Sequence, residues 1–192
     1  MSKSFETTQA DFRGFDPALL YQGKVIENWP KDVVFYPEEP EDWSRMDDAL
    51  MNSYTDAFKF RAYIFPIYSM RLRIAIESAG IKDFQFLPCL VRDFSGKLYS
   101  GYSVANVLTF RDALDVLHSK VYYHDHTLPK INVLGNVSAL VLPALFQAKL
   151  TACDVFRLPE DPRNMFVSER FRKMYRALKA TGVSFRDTII ID

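Results

Sequence analysis

The three histidines of the chain, His118, His124 and His126, are the residues whose type and spacing most suggest chemistry. On a strand, positions 124 and 126 share one face, and two imidazole nitrogens at that spacing can bind one zinc ion. A zinc site needs a third and usually a fourth ligand, and the HxH pair has no clear candidate for either. A surface segment of titratable residues explains the histidines better, so we expect no cofactor. A small metal-dependent enzyme that uses this cluster stays a secondary hypothesis.

Other catalytic patterns are missing from the sequence. There is no GxSxG turn to present a nucleophilic serine, and Cys89 follows Pro88 in an apolar run without a nearby histidine. We therefore interpret Cys89 as a core residue. Neither GxxxxGK[ST] nor GxGxxG occurs, and only 7 glycines serve the whole chain, which disfavours a phosphate-binding loop. The sequence predicts a protein that acts by binding rather than by catalysis.

An acidic segment is the most partner-like stretch of the sequence. Six carboxylates surround one tryptophan within eleven positions: Glu38, Glu39, Glu41, Asp42, Trp43, Asp47 and Asp48. From Trp43 to Phe58 apolar residues recur every three or four positions, which predicts a helix from Asp42 to about Phe60. An exposed acidic face beside a tryptophan can bind a basic partner. A merely solvated face with Trp43 in the core stays open as the alternative.

Overall charge and hydropathy exclude several classes of partner. Lysine and arginine balance aspartate and glutamate at 24 against 24 in 192 residues, whereas a general nucleic-acid binder needs a cationic excess. No stretch approaches the roughly 18 apolar residues of a membrane span, and the first residues lack the apolar run of a signal peptide. Two isolated cysteines fit a reducing compartment. We expect a cytoplasmic protein with no nucleic-acid or membrane partner, and the sequence does not indicate its oligomeric state.

The order of the helices and strands expected from the sequence predicts an α+β fold in a single domain, with a central antiparallel or mixed sheet and flanking helices. Strands are expected at residues 33–36 and at 84–92, the latter paired with 98–104 through a turn at 93–97. Helical spacing runs from 110 to 117, whereas 140–150 is ambiguous between helix and strand. We expect residues 1–60 to form an N-terminal segment that packs on a main domain at 61–192.

An internal repeat becomes visible when Gly80 is aligned with Gly182. Residues 64–87 and 166–191 then read as two similar strand-helix-strand units, each with its glycine just past the helix. Ser168 is a credible N-cap of the second helix, and Pro66 occupies the matching place in the first.

These motifs resemble the immunity protein 11 family of bacterial polymorphic toxin systems, with the immunity protein 43 family as a near competitor. The resemblance covers roughly residues 60–190 and is carried by the runs Phe65–Ser69, Ala79–Gly80, Phe84–Pro88, Tyr102–Leu108, Asp112–Asp115, Val155–Leu158, Met165–Phe171 and Thr181–Phe185. It implies a protein that occludes a cognate protein toxin made by the same cell or its kin, and it transfers no catalytic motif. A scaffold or regulatory module with another protein partner is the alternative that remains open.

Overall fold

The structure is a computed structural model that describes residues 6–37, 57–60, 65–92, 96–123 and 137–192. Its first six strands are β1 (Glu6–Asp11), β2 (Val34–Pro37), β3 (Ala57–Phe60), β4 (Phe65–Ser69), β5 (Phe84–Arg92) and β6 (Leu98–Val107). The remaining strands are β7 (Lys120–Tyr123), β8 (Val137–Leu142), β9 (Ala144–Phe146), β10 (Val155–Phe156), β11 (Phe166–Val167) and β12 (Ile189–Ile191). The α-helices are α1 (Met70–Ser78) and α2 (Glu169–Ala177), and short 3-10 helices cover Pro17–Tyr21 and Gln147–Lys149.

The six N-terminal strands form one mixed sheet that closes on itself. Their order is β1-β2-β5-β6-β4-β3, and β1 returns to pair with β3. The pairs β2–β5 and β1–β3 are parallel and the other neighbours are antiparallel. This arrangement confirms the predicted α+β class with a mixed central sheet. Strands from both sides of the predicted boundary at residue 60 share the sheet.

The predicted hairpin is confirmed, since β5 and β6 pair antiparallel from Phe84↔Val107 to Arg92↔Leu98. Gly96 in its turn has φ +84, which glycine adopts without a Cβ clash. The first predicted strand is also present, as β2. Strand β1 is not among the strands that the sequence predicted. Its polar residues carry no apolar alternation, and its place in the sheet is fixed by main-chain pairing with β2 and β3.

Alternating side chains of β5 and β6 divide the interior into two layers. Leu87, Cys89 and Val104 face the inside of the closed sheet, where the 3-10 helix Pro17–Tyr21 packs against them. Burial raises the pKa of the Cys89 thiol, which confirms the interpretation of this residue as core. The opposite face, with Phe84 at its edge, packs against both helices. The two helices thus cover the outside of the sheet.

Both helices have a serine N-cap. The residues that follow their C-terminal ends differ from the prediction. Ser168 caps α2 as predicted, because its Oγ accepts a hydrogen bond from Phe171 N at 3.1 Å. The cap of α1 is Ser69, so Pro66 was the wrong choice. Gly80 follows the end of α1 with φ +71, whereas the matching position after α2 is Lys179 with φ +52.

The repeat register was therefore wrong by three residues. Alignment on Gly182 assumed that only glycine takes the left-handed conformation after a helix, and a lysine does so here. Gly182 also has a positive φ, but it lies four positions past the α2 C-cap Leu178. The units are correctly aligned through their serine caps, Ser69 and Ser168. Strand-helix-strand order holds in both, as β4-α1-β5 and β11-α2-β12.

Two other predicted helices were wrong where the structure tests them. Residues 110–117 form no helix, because Phe110 bridges Arg157 and Leu114 bridges Leu145, so the three-four spacing reflects two separate strand contacts. Residues 57–60 of the helix predicted from Asp42 are strand β3, and the remainder of that prediction lies outside the described residues. The ambiguous run 140–150 contains the end of β8, all of β9 and a 3-10 turn. None of the helices in the described part of the chain is long and apolar enough to cross a membrane.

Candidate functional site

An open groove of about 380 Å³ lies between the end of α1 and the start of α2. It is lined by Gly80, Lys82, Asp83, Ala152, Cys153, Asp154 and Arg170. Two carboxylates, two cations and a thiol are the residue types that acid-base or nucleophilic chemistry uses, so their hydrogen bonds decide what the groove can do.

Asp83 uses both carboxylate oxygens to hold the chain together. Its Oδ1 accepts a hydrogen bond from Thr109 Oγ1 at 2.7 Å, and its Oδ2 accepts from the backbone N–H groups of Asp154 (2.9 Å) and Val155 (3.0 Å). The carboxylate therefore fixes the start of β10 to the start of β5. This is the role of a structural acceptor.

Asp154 is engaged in the same way on the other side of the groove. Its Oδ1 accepts from Ser168 Oγ at 2.6 Å, and its Oδ2 accepts from Arg170 Nη1 at 2.7 Å. Arg170 Nη2 also donates to the carbonyl of Ala79 at the end of α1. Cys153 Sγ lies 3.8 Å from the carbonyl of Leu150. The groove is thus a polar joint between the two helices rather than an arrangement of acid, base and nucleophile.

His118 is the one predicted metal candidate that the structure describes. Its Nδ1 lies 2.6 Å from Asp115 Oδ2, and Asp115 Oδ1 accepts from the backbone N–H groups of Leu117 (2.9 Å) and His118 (3.2 Å). The hydrogen bond with His118 holds the pKa of the Asp115 carboxyl below its ordinary value. The nearest hydroxyl in sequence, Ser119 Oγ, is used by the backbone of Ala144. The pair therefore orders the loop that carries Leu117 and His118.

The other predicted site residues lie outside the described part of the chain. They are His124 and His126, together with the whole acidic segment Glu38, Glu39, Glu41, Asp42, Trp43, Asp47 and Asp48. Within the ranges that the structure describes, no group of three or more histidine, cysteine, aspartate or glutamate side chains could hold a metal ion.

Arg157 is a buried cation that the sequence analysis did not identify as a candidate site residue. Its side chain is fully buried, donates from Nη1 to the carbonyl of Leu20 at 3.2 Å, and lies 5.0 Å from the ring centroid of Tyr21. Burial lowers the pKa of the guanidinium to about 10, so it remains a cation at neutral pH. The contacts tie the 3-10 helix inside the sheet to the chain after β10, which is a structural role.

An exposed apolar surface is the second feature that the sequence missed. Seven of the eleven large hydrophobic residues that are exposed in the described part of the chain belong to three segments around Pro143 and Ala144. We call these seven the apolar face: Val116, Leu117, Tyr122, Val141, Leu142, Ile189 and Ile190. Their segments meet because Asp115 N donates to the Ala144 carbonyl and Ile189 N donates to the Pro143 carbonyl. The sequence shows these residues as apolar but does not distinguish them from core.

Residues 6–189 match the model of a protein family that is described as Immunity protein family (Imm11). No curated protein matches the chain.

Proposed function

The chain belongs to the immunity protein 11 family, and on that premise we propose that it binds a cognate protein toxin and neutralises it by occlusion. The observation that carries this proposal is the family match, which spans nearly the whole chain. Neutralisation by occlusion requires a surface that is complementary to the toxin, and it requires no catalytic residues. That requirement fits the groove at α1 and α2, where both carboxylates are engaged in structural hydrogen bonds.

The acidic segment is our proposed steering element for this encounter. Residues 38–48 carry six carboxylates and only one cation, Arg45, in a chain whose net charge is zero. A toxin that attacks nucleic acid or another phosphate-bearing substrate offers a cationic cleft, and a local carboxylate cluster speeds association with such a cleft. Burial of an aromatic side chain such as Trp43 then slows dissociation.

We also propose that this protein binds the toxin in the cytoplasm. Both cysteines of the chain, Cys89 and Cys153, are free thiols, which fits a reducing compartment.

Charge reversal tests the steering step. The triple variant Glu38→Lys, Glu39→Lys and Glu41→Lys should slow association with the cognate toxin and flatten the salt dependence of the association rate. Stopped-flow association at two ionic strengths measures both effects. Trp43→Ala should instead mainly increase the dissociation rate.

A matched control separates position from net charge. Glu27, Asp32 and Asp112 are exposed acids elsewhere on the chain, and changing all three to lysine alters net charge by the same amount. This control should associate as the wild type does. Full protection of toxin-expressing cells by a stably folded variant with lysines at 38, 39 and 41 would exclude the acidic segment from the interface.

A further inference from the structure

We propose that residues 23–29, which we call the strap, close one end of the six-stranded sheet and open while that sheet stays folded. The strap lies between the 3-10 helix Pro17–Tyr21 and β2 in the chain, and it forms neither helix nor strand. Gly23 begins it with φ +65, and Pro30 follows its last residue. The inference concerns this chain alone and is independent of the proposed toxin.

Two polar side chains of the central hairpin show where the strap lies. Gln85 and Asn106 are directly opposite each other on β5 and β6. They stand two positions along the strands from Leu87 and Val104, whose side chains face the inside of the closed sheet, so they face the same side. Gln85 and Asn106 therefore lie at the edge of the apolar interior, where β5 begins and β6 ends.

Side chains, rather than strand pairing, fasten the strap to this edge in the described part of the chain. Gln85 Oε1 accepts a hydrogen bond from Ile26 N at 2.8 Å, and Gln85 Nε2 donates to the Ile26 carbonyl at 2.9 Å. Asn106 Nδ2 donates to the Lys24 carbonyl at 2.9 Å. These bonds can break without disturbing the ladder that joins β5 to β6.

Few side chains of the strap pack against the rest of the fold. Ile26 and Trp29 are partly buried against the apolar interior. The Trp29 ring lies 5.0 Å from that of Phe15, and its Nε1 donates to the Pro88 carbonyl at 2.7 Å. Segments with few buried apolar contacts open at a lower free energy than core strands. The other side chains of the strap are exposed: Lys24, Val25, Glu27 and Asn28.

A buried oxygen beside the strap favours opening. Asn106 is 1% exposed, and its Oδ1 has no hydrogen-bond partner within the described ranges. When the strap closes, this oxygen loses water without gaining a protein donor, which destabilises the closed state. Opening returns water to the oxygen, so the strap is held less tightly than its hydrogen bonds alone indicate.

Opening of the strap exposes the inside of the closed sheet, and Cys89 reports that exposure. Cys89 is 4% exposed and belongs to the cluster against which Ile26 and Trp29 pack. A buried thiol is inert until it meets solvent. The chain has 2 cysteines, so Cys153→Ser leaves Cys89 as its single thiol.

The rate at which a thiol reagent labels Cys89 in the folded Cys153→Ser protein tests the proposal. Local opening exposes little surface, so the rate should hardly change from water to about 1 M urea. Gln85→Met keeps a side chain of similar length but loses both bonds to Ile26, and it should raise the rate about 30-fold. Trp29→Phe loses one bond and should raise the rate about fivefold.

Ile76→Val is the control, because Ile76 is buried on the opposite face of the sheet, between the sheet and the helices. It lowers the stability of the whole fold and should leave the labelling rate unchanged. A rate that rises steeply with urea and is faster in Ile76→Val shows that reagent reaches Cys89 only by global unfolding, which overturns the proposal. A rate that is flat in urea but insensitive to Gln85→Met places the opening in another segment and overturns it as well.

Discussion

Removal of the Asp83 carboxylate tests whether the groove between the helices is a structural joint. In Asp83→Ala, the backbone N–H groups of Asp154 and Val155 lose their acceptor, and so does the Thr109 hydroxyl. Each donor left without an acceptor costs about 1–3 kcal/mol, and because all three donors are only part-buried we take the lower end, which gives a total loss of about 3 kcal/mol. At this chain length 1 kcal/mol shifts Tm by about 2–4 °C, which gives a fall of about 6–12 °C.

The isosteric variant separates a structural acceptor from a catalytic acid. In Asp83→Asn, the amide oxygen can still accept from Asp154 N and Val155 N, while the amide nitrogen donates to the Thr109 hydroxyl. We expect a loss of only about 1 kcal/mol and unchanged protection against the toxin. Asp112→Ala is the control, because Asp112 is mostly exposed and its ion pair with Lys149 spans 3.5 Å, so the cost should be below about 0.5 kcal/mol.

Thermal melting and toxin protection are the two readouts for these variants. An Asp83→Ala protein that melts within about 2 °C of the wild type would show that the carboxylate does not fix β10, contrary to the reasoning above. A stably folded Asp83→Asn protein that has lost protection would show that the charge of Asp83 is needed for function, contrary to a purely structural role.

Three further results are expected. Gly80 and Lys179 both have positive φ, so in urea unfolding Gly80→Ala should lower the free energy of unfolding by about 1 kcal/mol and Lys179→Gly should raise it by up to about 1 kcal/mol. Equal effects of the same sign would contradict the assignment of both positions to the left-handed conformation. A neighbouring imidazole lowers the folded pKa of Asp115, so this carboxyl stabilises the fold above its unfolded pKa and loses that contribution as pH falls through the folded value. Asp115→Asn should therefore flatten the fall of Tm between neutral pH and about pH 3, and an unchanged slope would refute the linkage. Elemental analysis should find no stoichiometric metal, since an HxH pair supplies only two ligands; one zinc per chain, lost when His124 and His126 are changed to alanine, would reverse this view.

Local signals in the sequence predicted the elements whose structure is decided locally. The β5–β6 hairpin follows from a glycine-containing turn between two β-rich runs, and the cap of α2 follows from Ser168 before an amphipathic pattern. Cys89 was correctly placed in the core because apolar residues surround it in sequence. In each case the physical cause lies within a few residues of the feature.

Long-range pairing was what the sequence could not supply. Closure of the sheet depends on β1, whose polar residues are held by main-chain bonds to β2 and β3. The false helix at 110–117 has the same origin, since Phe110 and Leu114 form β-bridges with Arg157 and Leu145, which lie more than thirty positions away. The register error at Gly182 arose because the left-handed position after α2 is occupied by Lys179, a residue that carries no such signal.

The exposure of the residues of the apolar face could not be predicted from the sequence for a related reason. Leu140 and Leu142 are identical in type and two positions apart, yet one packs in the core and the other is exposed because of the bulge at Val141. Exposure of an apolar residue is a property of the assembled fold. The acidic segment, in contrast, is visible in the sequence alone and stays a prediction.

Neutralisation of the toxin is the most direct measurement of the central claim. The cognate toxin is induced in cells that carry or lack this chain, and survival is scored alongside isolation of the complex from purified proteins. We predict survival only when the chain is present, with a toxin complex that forms without any cofactor. Death of cells that contain the folded chain at a concentration above that of the toxin would contradict the account.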